Sequence, residues 1–200
     1  MRRLALLSLV AASGCRSVAK SELSGGLSGV ALPQAVARPS FVLTTTTGDT
    51  FDFRDRTRGR LTLLFFGYTH CPDVCPATMQ NIAAVTNRLT ALERQQLDVV
   101  FVTTDPDRDT AAALGPWLAQ FDKAFIGLTG PITAVEAAQR AAGVSVAIRP
   151  AGRSDYQVSH AAQVLVYSAD DSGHVAYPFG TRQAEWAADL PKLAERWRGR

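Results

Sequence analysis

Cys71 and Cys75 stand with three residues between them in the run Phe65-Phe66-Gly67-Tyr68-Thr69-His70-Cys71-Pro72-Asp73-Val74-Cys75-Pro76. Thiolates are soft ligands that suit Cu(I), Zn(II) or iron–sulfur centres. Three intervening residues let both sulfurs converge on one point with more slack than two would. Two sulfurs alone complete no site for these metals, so a third donor is required. The chain has 3 histidines to offer. His70 abuts Cys71, and neighbouring side chains on extended backbone point apart, so sharing a metal would need a distorted chain. His174 follows Gly173 in an expected hairpin and reads as solvated. His160 directly precedes an apolar stretch, Ala161 to Tyr167, and geometry makes it the favoured ligand. The alternative for His160 is a strand-capping side chain bonded to backbone.

The same cysteines could serve redox chemistry without a metal. Proline favours the first positions of a helix, so Cys75-Pro76 is expected to open one, with Cys75 at the N-cap. Unsatisfied N–H groups and the helix dipole would favour a thiolate there. Pro72 and Pro76 keep the intervening loop out of regular helix. A disulfide closing so small a loop adds little stability on the chain-entropy account, which makes a purely structural pair the weaker reading.

The elements that must position these residues alternate in type. Phe41 to Thr44 and Thr50 to Phe53 flank Gly48-Asp49, a hairpin signal. Leu61 to Phe66 is a continuous apolar run, as expected of a strand buried on both faces. A helix follows, with Ile82, Val85, Leu89 and Leu92 at helical spacing. Leu97 to Thr103 reads as a second buried strand. Asp109 and Thr110 are expected to cap a helix running through Trp117 to Phe121. Ala124 to Leu128 is a short apolar stretch, and Pro131 opens a helix reaching Ala142. Val144 to Ile148 is strand-like. Ala161 to Tyr167 and His174 to Pro178 flank a turn at Asp170 to Gly173, and Thr181 to Trp197 makes a closing helix. This alternation predicts a mixed α/β sandwich with a parallel core. A cysteine pair where the first core strand meets its helix is where a thioredoxin-like fold puts its chemistry, at the carboxyl end of the sheet.

The N-terminus reads as an export signal: Arg2 and Arg3, an apolar run from Leu4 to Ala12, then the small residues Ala12, Ser13 and Gly14. That run is far short of the roughly 20 apolar residues that cross a bilayer. Cys15 comes next, as in a lipoprotein signal whose cysteine is lipidated, although Ala12 replaces the usual leucine. Residues 16–39 are rich in Ser, Gly, Ala and Val and read as a flexible tether. The expected organisation is a signal peptide over 1–15, the tether over 16–39 and one domain over 40–200. The net charge of +3 leaves no basic stripe for nucleic acid. The composition, 46% hydrophobic and 20% charged, is that of a globular chain able to build a core without disulfides.

Gly67-Tyr68-Thr69-His70-Cys71-Pro72-Asp73-Val74-Cys75-Pro76 resembles the signature of the Sco/SenC family of copper chaperones. Thr104-Asp105-Pro106-Asp107-Arg108-Asp109-Thr110 is similar to that family's second motif. Tyr156-Gln157-Val158-Ser159-His160 matches the place of its histidine, with Ser159 where an aspartate is common. The resemblance covers residues 40–200. It implies an α/β, thioredoxin-like fold, a mixed sheet with helices on both faces and an N-terminal hairpin. It implies copper, Cu(I) or Cu(II), held by Cys71, Cys75 and His160, and a Cys71–Cys75 disulfide when oxidised. It also implies assembly of the binuclear CuA site of cytochrome c oxidase. The partners would be the oxidase subunit carrying that site and another copper chaperone or a thioredoxin-like reductant. The place would be the outer face of the cytoplasmic membrane or the periplasm, through a lipid on Cys15.

Two other functions compete. A metal-independent thiol–disulfide oxidoreductase would use the same pair, although such reductases normally carry a spacing one residue shorter. A peroxiredoxin-like peroxidase would want Thr-x-x-Cys at Cys75, which is missing. Asp105, Asp107 and Asp109 read either as turn and cap residues or as a docking surface beside the cysteine loop. Trp117 and Phe121 read as core. Tyr68 reads as packing or as a shield for the metal.

Overall fold

A computed structural model describes residues 26–150 and 155–196. The proposed signal peptide, Cys15 and the first part of the tether lie outside the described residues. One 8-stranded sheet organises the chain in the order β1-β8-β7-β4-β5-β6-β2-β3. The strands are β1 (Val30–Ala37), β2 (Val42–Thr45), β3 (Thr50–Asp52), β4 (Leu61–Gly67), β5 (Leu97–Thr103), β6 (Ile126–Thr129), β7 (Val164–Tyr167) and β8 (Ser172–Tyr177). The described helices are α1 (Phe53–Thr57), α2 (Val74–Thr86), α3 (Ala91–Gln95), α4 (Ala111–Ala119), α5 (Ile132–Ala141) and α6 (Gln183–Arg196).

β4 lies at the heart of the sheet, parallel to β5 and antiparallel to β7. Every residue of Leu61–Gly67 is buried, which is why the run is apolar without alternation. Alternate side chains still serve opposite faces. Leu63 and Phe65 join Met79 and Ile82 of α2, Leu114 of α4 and Trp186 of α6 in one core. Leu64 and Phe66 join Phe53 of α1 and Val135 of α5 in the other. Helices therefore cover both faces. The connection from β4 to its parallel neighbour β5 passes through α2, so the loop entering α2 is placed at the carboxyl end of the central strand.

Three expectations change. Residues 30–37 are not tether: β1 pairs antiparallel with β8, Leu27 is buried in the core, and Arg38 is fully buried. The Arg38 guanidinium donates to Asp171, Thr57, Thr62, the Arg60 carbonyl and the Ser168 carbonyl. Val144 to Ile148 forms no strand; its pairing is the single bridge between Ile148 and Ser159. Asp109 does not cap α4. Thr110 is the N-cap there, without a side-chain bond, and the Asp109 carboxylate is used elsewhere.

Candidate metal centre

The last residue of β4 is a glycine, Gly67, where nothing larger fits: a Cβ there would lie 2.8 Å from the Cys75 sulfur and 2.8 Å from the Phe65 ring. Tyr68 then turns the chain, with the Cys71 amide donating to its carbonyl at 3.3 Å. Buried Asp109 holds this turn. Its carboxylate accepts from the Thr69 amide at 2.9 Å, from the Thr69 hydroxyl, and from the Thr103 hydroxyl at 2.7 Å. A carboxylate with no exposed side-chain surface persists only with such donors. Asp73 is the N-cap of α2, so Cys75 lies inside its first turn rather than at the cap.

That shift reverses the expected roles of the two sulfurs. The Cys75 amide donates to the Cys71 Sγ at 3.4 Å, so Cys71 occupies the anion position at the helix N-terminus. The Cys71 thiol is lowered to about 4. The largest cause is the hydrogen bond from the Cys75 thiol, and the backbone amides of Cys75 and Asp73 add to it against burial. Cys75, with no exposed surface, is pushed far up. It keeps its proton because that proton is hydrogen-bonded to Cys71, because burial penalises a second charge, and because the Cys71 thiolate and Asp109 are both negative.

His160 reaches the pair from the loop before β7. Its Nδ1 lies 3.0 Å from the Ala161 carbonyl, which can only accept, so the proton belongs on Nδ1 and the Nε2 lone pair is free. Nε2 lies 3.5 Å from the Cys75 Sγ. The ring stands edge-on to Tyr68 at 5.6 Å and to Phe65 at 6.0 Å, which fixes its plane. The strand-capping and ligand readings of His160 are thus compatible: one nitrogen bonds backbone while the other faces the sulfurs.

The donor atoms of Cys71, Cys75 and His160 all lie within 4.8 Å of one another. Sulfur and nitrogen donors about 2.0–2.3 Å from a shared ion can be at most roughly 4.6 Å apart. Three donors around one ion sit closer together than that linear limit, so Cys71, Cys75 and His160 would draw inward to share a cation. Two sulfurs and an imidazole suit a soft or borderline ion and not a hard one. Tyr68, 2% exposed, closes one side of the site.

The other histidines are engaged elsewhere. His70 is exposed, 3.1 Å from the Thr69 hydroxyl and 3.7 Å from Asp109. His174 is not solvated as expected: its Nε2 lies 2.7 Å from Asp170 across the β7–β8 turn. Trp117 packs edge-on against Phe121 and at a tilt against Phe101, and both Trp117 and Phe121 lie against the core. Sequence reasoning missed Tyr156, whose hydroxyl donates to buried Asp105 at 2.7 Å. Its place four residues before His160 was the signal available.

The SCO1/SenC family model matches residues 31–195. The chain belongs to the SCO1/SenC family. A Stutzerimonas stutzeri protein with a provisional copper-binding name is 34% identical over 149 residues, covering 74% of this chain and 72% of that protein. The human mitochondrial SCO1 homologue is 32% identical over 154 residues, 75% of this chain but only 50% of its own length. Among solved structures, Bradyrhizobium japonicum ScoI with copper bound superposes with a TM-score of 0.70 at 30% identity, covering 79% of this chain and 99% of that one. Apo Sco1 from Thermus thermophilus gives a TM-score of 0.74 at 28% identity, over 84% and 96%. The fold is the thioredoxin-like fold of these SCO1/SenC structures, and all of β1 except Val30 lies within the matched family region.

Proposed function

We propose that this protein is a copper chaperone that holds its cargo between Cys71, Cys75 and His160 and hands it to the CuA site of cytochrome c oxidase. One observation carries the reading: two sulfurs and an imidazole nitrogen from three points of the chain lie within 4.8 Å of one another. Membership of the SCO1/SenC family and likeness to a copper-bound relative support the choice of ion. Two thiolates supply the soft coordination that Cu(I) prefers, and the imidazole adds the nitrogen that suits Cu(II). Binding copper displaces the proton held on Cys75, because a thiolate is the ligand.

A lipid on Cys15 would keep the domain at the outer face of the cytoplasmic membrane. No described helix is long and apolar enough to cross a membrane. A second copper chaperone or a thioredoxin-like reductant would load or reduce the site. The test is transfer: copper-loaded protein is mixed with the apo soluble domain that carries the CuA site, and the purple mixed-valence signal is followed. Its growth, matched by loss of metal from the donor, is the expected result; metal that stays put refutes delivery.

The ionised Cys71 favours a second reading, in which the reduced pair acts on a disulfide. Cys71 would attack the partner's S–S bond and expel one partner thiolate. Cys75 would then resolve the mixed disulfide, leaving Cys71–Cys75 oxidised and both partner sulfurs reduced. Reduction of an oxidised CuA domain by metal-free protein distinguishes this activity from delivery.

A further inference from the structure

Each arm of the loop that carries His160 is fastened to the same short segment after β5. On the outgoing arm, Arg149 donates to the Thr104 carbonyl at 2.8 Å, and Ile148 and Ser159 exchange backbone hydrogen bonds at 2.9 and 3.1 Å. On the returning arm, the half-buried Tyr156 donates its hydroxyl to Asp105 at 2.7 Å. Asp105 has no exposed side-chain surface, and its other oxygen accepts from the Arg108 Nε. Arg108 in turn lies over the Tyr156 ring, 3.7 Å from its centroid, and donates to the Tyr156 carbonyl at 3.1 Å. The guanidinium also lies 5.9 Å from the ring of Tyr68, the residue that walls the cysteine site. Thr104 itself is tied to the cysteine strand, its amide donating to the Gly67 carbonyl at 2.7 Å.

We propose that Tyr156, Asp105 and Arg108 form a clamp that positions His160, so that the third ligand is presented to the cysteines by a latch rather than by its own packing alone. Tyr156, Asp105 and Arg108 are positioning residues and touch no metal. The inference rests on the reading of Cys71, Cys75 and His160 as a copper site. Its physical basis is that His160 Nε2 reaches Cys75 only at 3.5 Å, with Gln157, Val158 and Ser159 alone between it and Tyr156 of the clamp. A phenol, a carboxylate and a guanidinium joined in a ring of bonds resist displacement of that arm more than a single contact would. Apparent affinity falls with the fraction of molecules whose binding-competent arrangement is lost, so loosening the latch should weaken the bonds that need His160 and spare those that do not.

Tyr156→Phe removes one hydroxyl and keeps the ring under Arg108. Hydrogen exchange in the reduced, metal-free protein gives the first readout. The Ser159 amide, bonded to Ile148, should exchange about three- to tenfold faster, in keeping with one lost hydrogen bond, while the amides of β4 and β5 keep their protection. Copper titration gives the second. Cu(II) affinity should fall by a similar factor, with a fraction of the spectrum matching that of His160→Ala, and Cu(I) affinity should stay within about twofold because two thiolates suffice for it. Unchanged Ser159 exchange and an unchanged Cu(II) spectrum would overturn the clamp. Uniformly faster exchange across β4 and β5 would also overturn it, by showing general destabilisation instead of local release. If His160→Ala leaves Cu(II) binding untouched, the copper site itself is wrong and the clamp falls with it. If His160→Ala alters binding while Tyr156→Phe does not, only the clamp is lost.

Discussion

The Nε2 of His160 faces the Sγ of Cys75 at 3.5 Å across 85 residues of sequence. The ring nitrogen on the opposite side is occupied by the Ala161 carbonyl, so the imidazole is both oriented and held in the tautomer that leaves a lone pair toward the sulfurs. That relationship makes the copper reading testable one residue at a time.

His160→Ala should remove most Cu(II) affinity and shift the thiolate-to-copper absorption, while Cu(I) binding falls less. His70→Ala and His174→Ala should keep the wild-type spectrum, since His70 is bonded to Thr69 and His174 to Asp170. Anaerobic titration monitored by visible absorption and paramagnetic resonance decides it. An unaltered His160→Ala spectrum would remove this residue from the site.

Cys71→Ser and Cys75→Ser should each abolish tight Cu(I) binding, because a hydroxyl is a hard donor of high pKa. Both proteins should still fold. Burying a hydroxyl in place of the Cys75 thiol should cost about 1 kcal/mol in denaturant melts. Competition with a chromophoric Cu(I) chelator measures the binding loss.

Gly67→Ala should damage both fold and site. Its Cβ would meet the Cys75 sulfur and the Phe65 ring at 2.8 Å each and Phe101 at 3.0 Å, all in a core with little room to yield. Overpacking of this kind costs about 1–3 kcal/mol. A lowered midpoint, together with weakened copper binding from a displaced Cys75, is expected. Wild-type values for both would mean that the strand end relaxes freely.

Alkylation of the reduced, metal-free protein should modify Cys71 before Cys75, even near pH 6. Cys71 is lowered to about 4 and is ionised there, whereas Cys75 holds its proton. The sign for stability follows. A depressed Cys71 stabilises the fold above the ordinary thiol range near 8.5, and that contribution fades as pH falls toward 4. A raised Cys75 acts oppositely: its contribution is complete below the ordinary thiol range and is lost as pH climbs past it. The difference in unfolding free energy between wild type and Cys71→Ser should therefore grow from pH 5 to pH 8. Peptide mapping after brief iodoacetamide treatment tests the order of reaction.

Cys15→Ser should move the protein from membrane to soluble fractions without altering copper affinity. Fractionation with metabolic lipid labelling is the measurement, and a variant that stays with the membrane would indicate a retained signal or a bound partner.

Much of this was legible in the residues. β4 announced itself because burial on both faces demands an unbroken apolar run, and the cysteine loop had to follow it. β1 was hidden. It is an edge strand, its residues mostly exposed, with Pro33 inside and Ser and Gly before it, so it carries no alternation and borrows its order from β8 and Arg38. The three donor residues were readable through motif and order, but the ionisation of the pair was not. Which sulfur faces the α2 amides depends on a shift in where the helix begins, from the expected N-cap Cys75 to Asp73, and boundaries are the least determined feature of a sequence. Asp109 misled for a related reason: a cap is a local bond, whereas Thr69 and Thr103 come together with Asp109 only once β4 and β5 are paired.

Arg38 gives the molecule a mechanical character. Any pull on the chain from before residue 26 enters the sheet along β1 and arrives at this guanidinium, whose acceptors are spread over the end of α1, the start of β4 and the β7–β8 turn. Tension there loads β1 against β8 in shear across several bonds at once, instead of opening them one by one. The knot grips β4 at Thr62, near its amino end, whereas the cysteine loop follows its carboxyl end at Gly67, so a domain tugged from that end should keep its metal loop undisturbed until it yields as a whole.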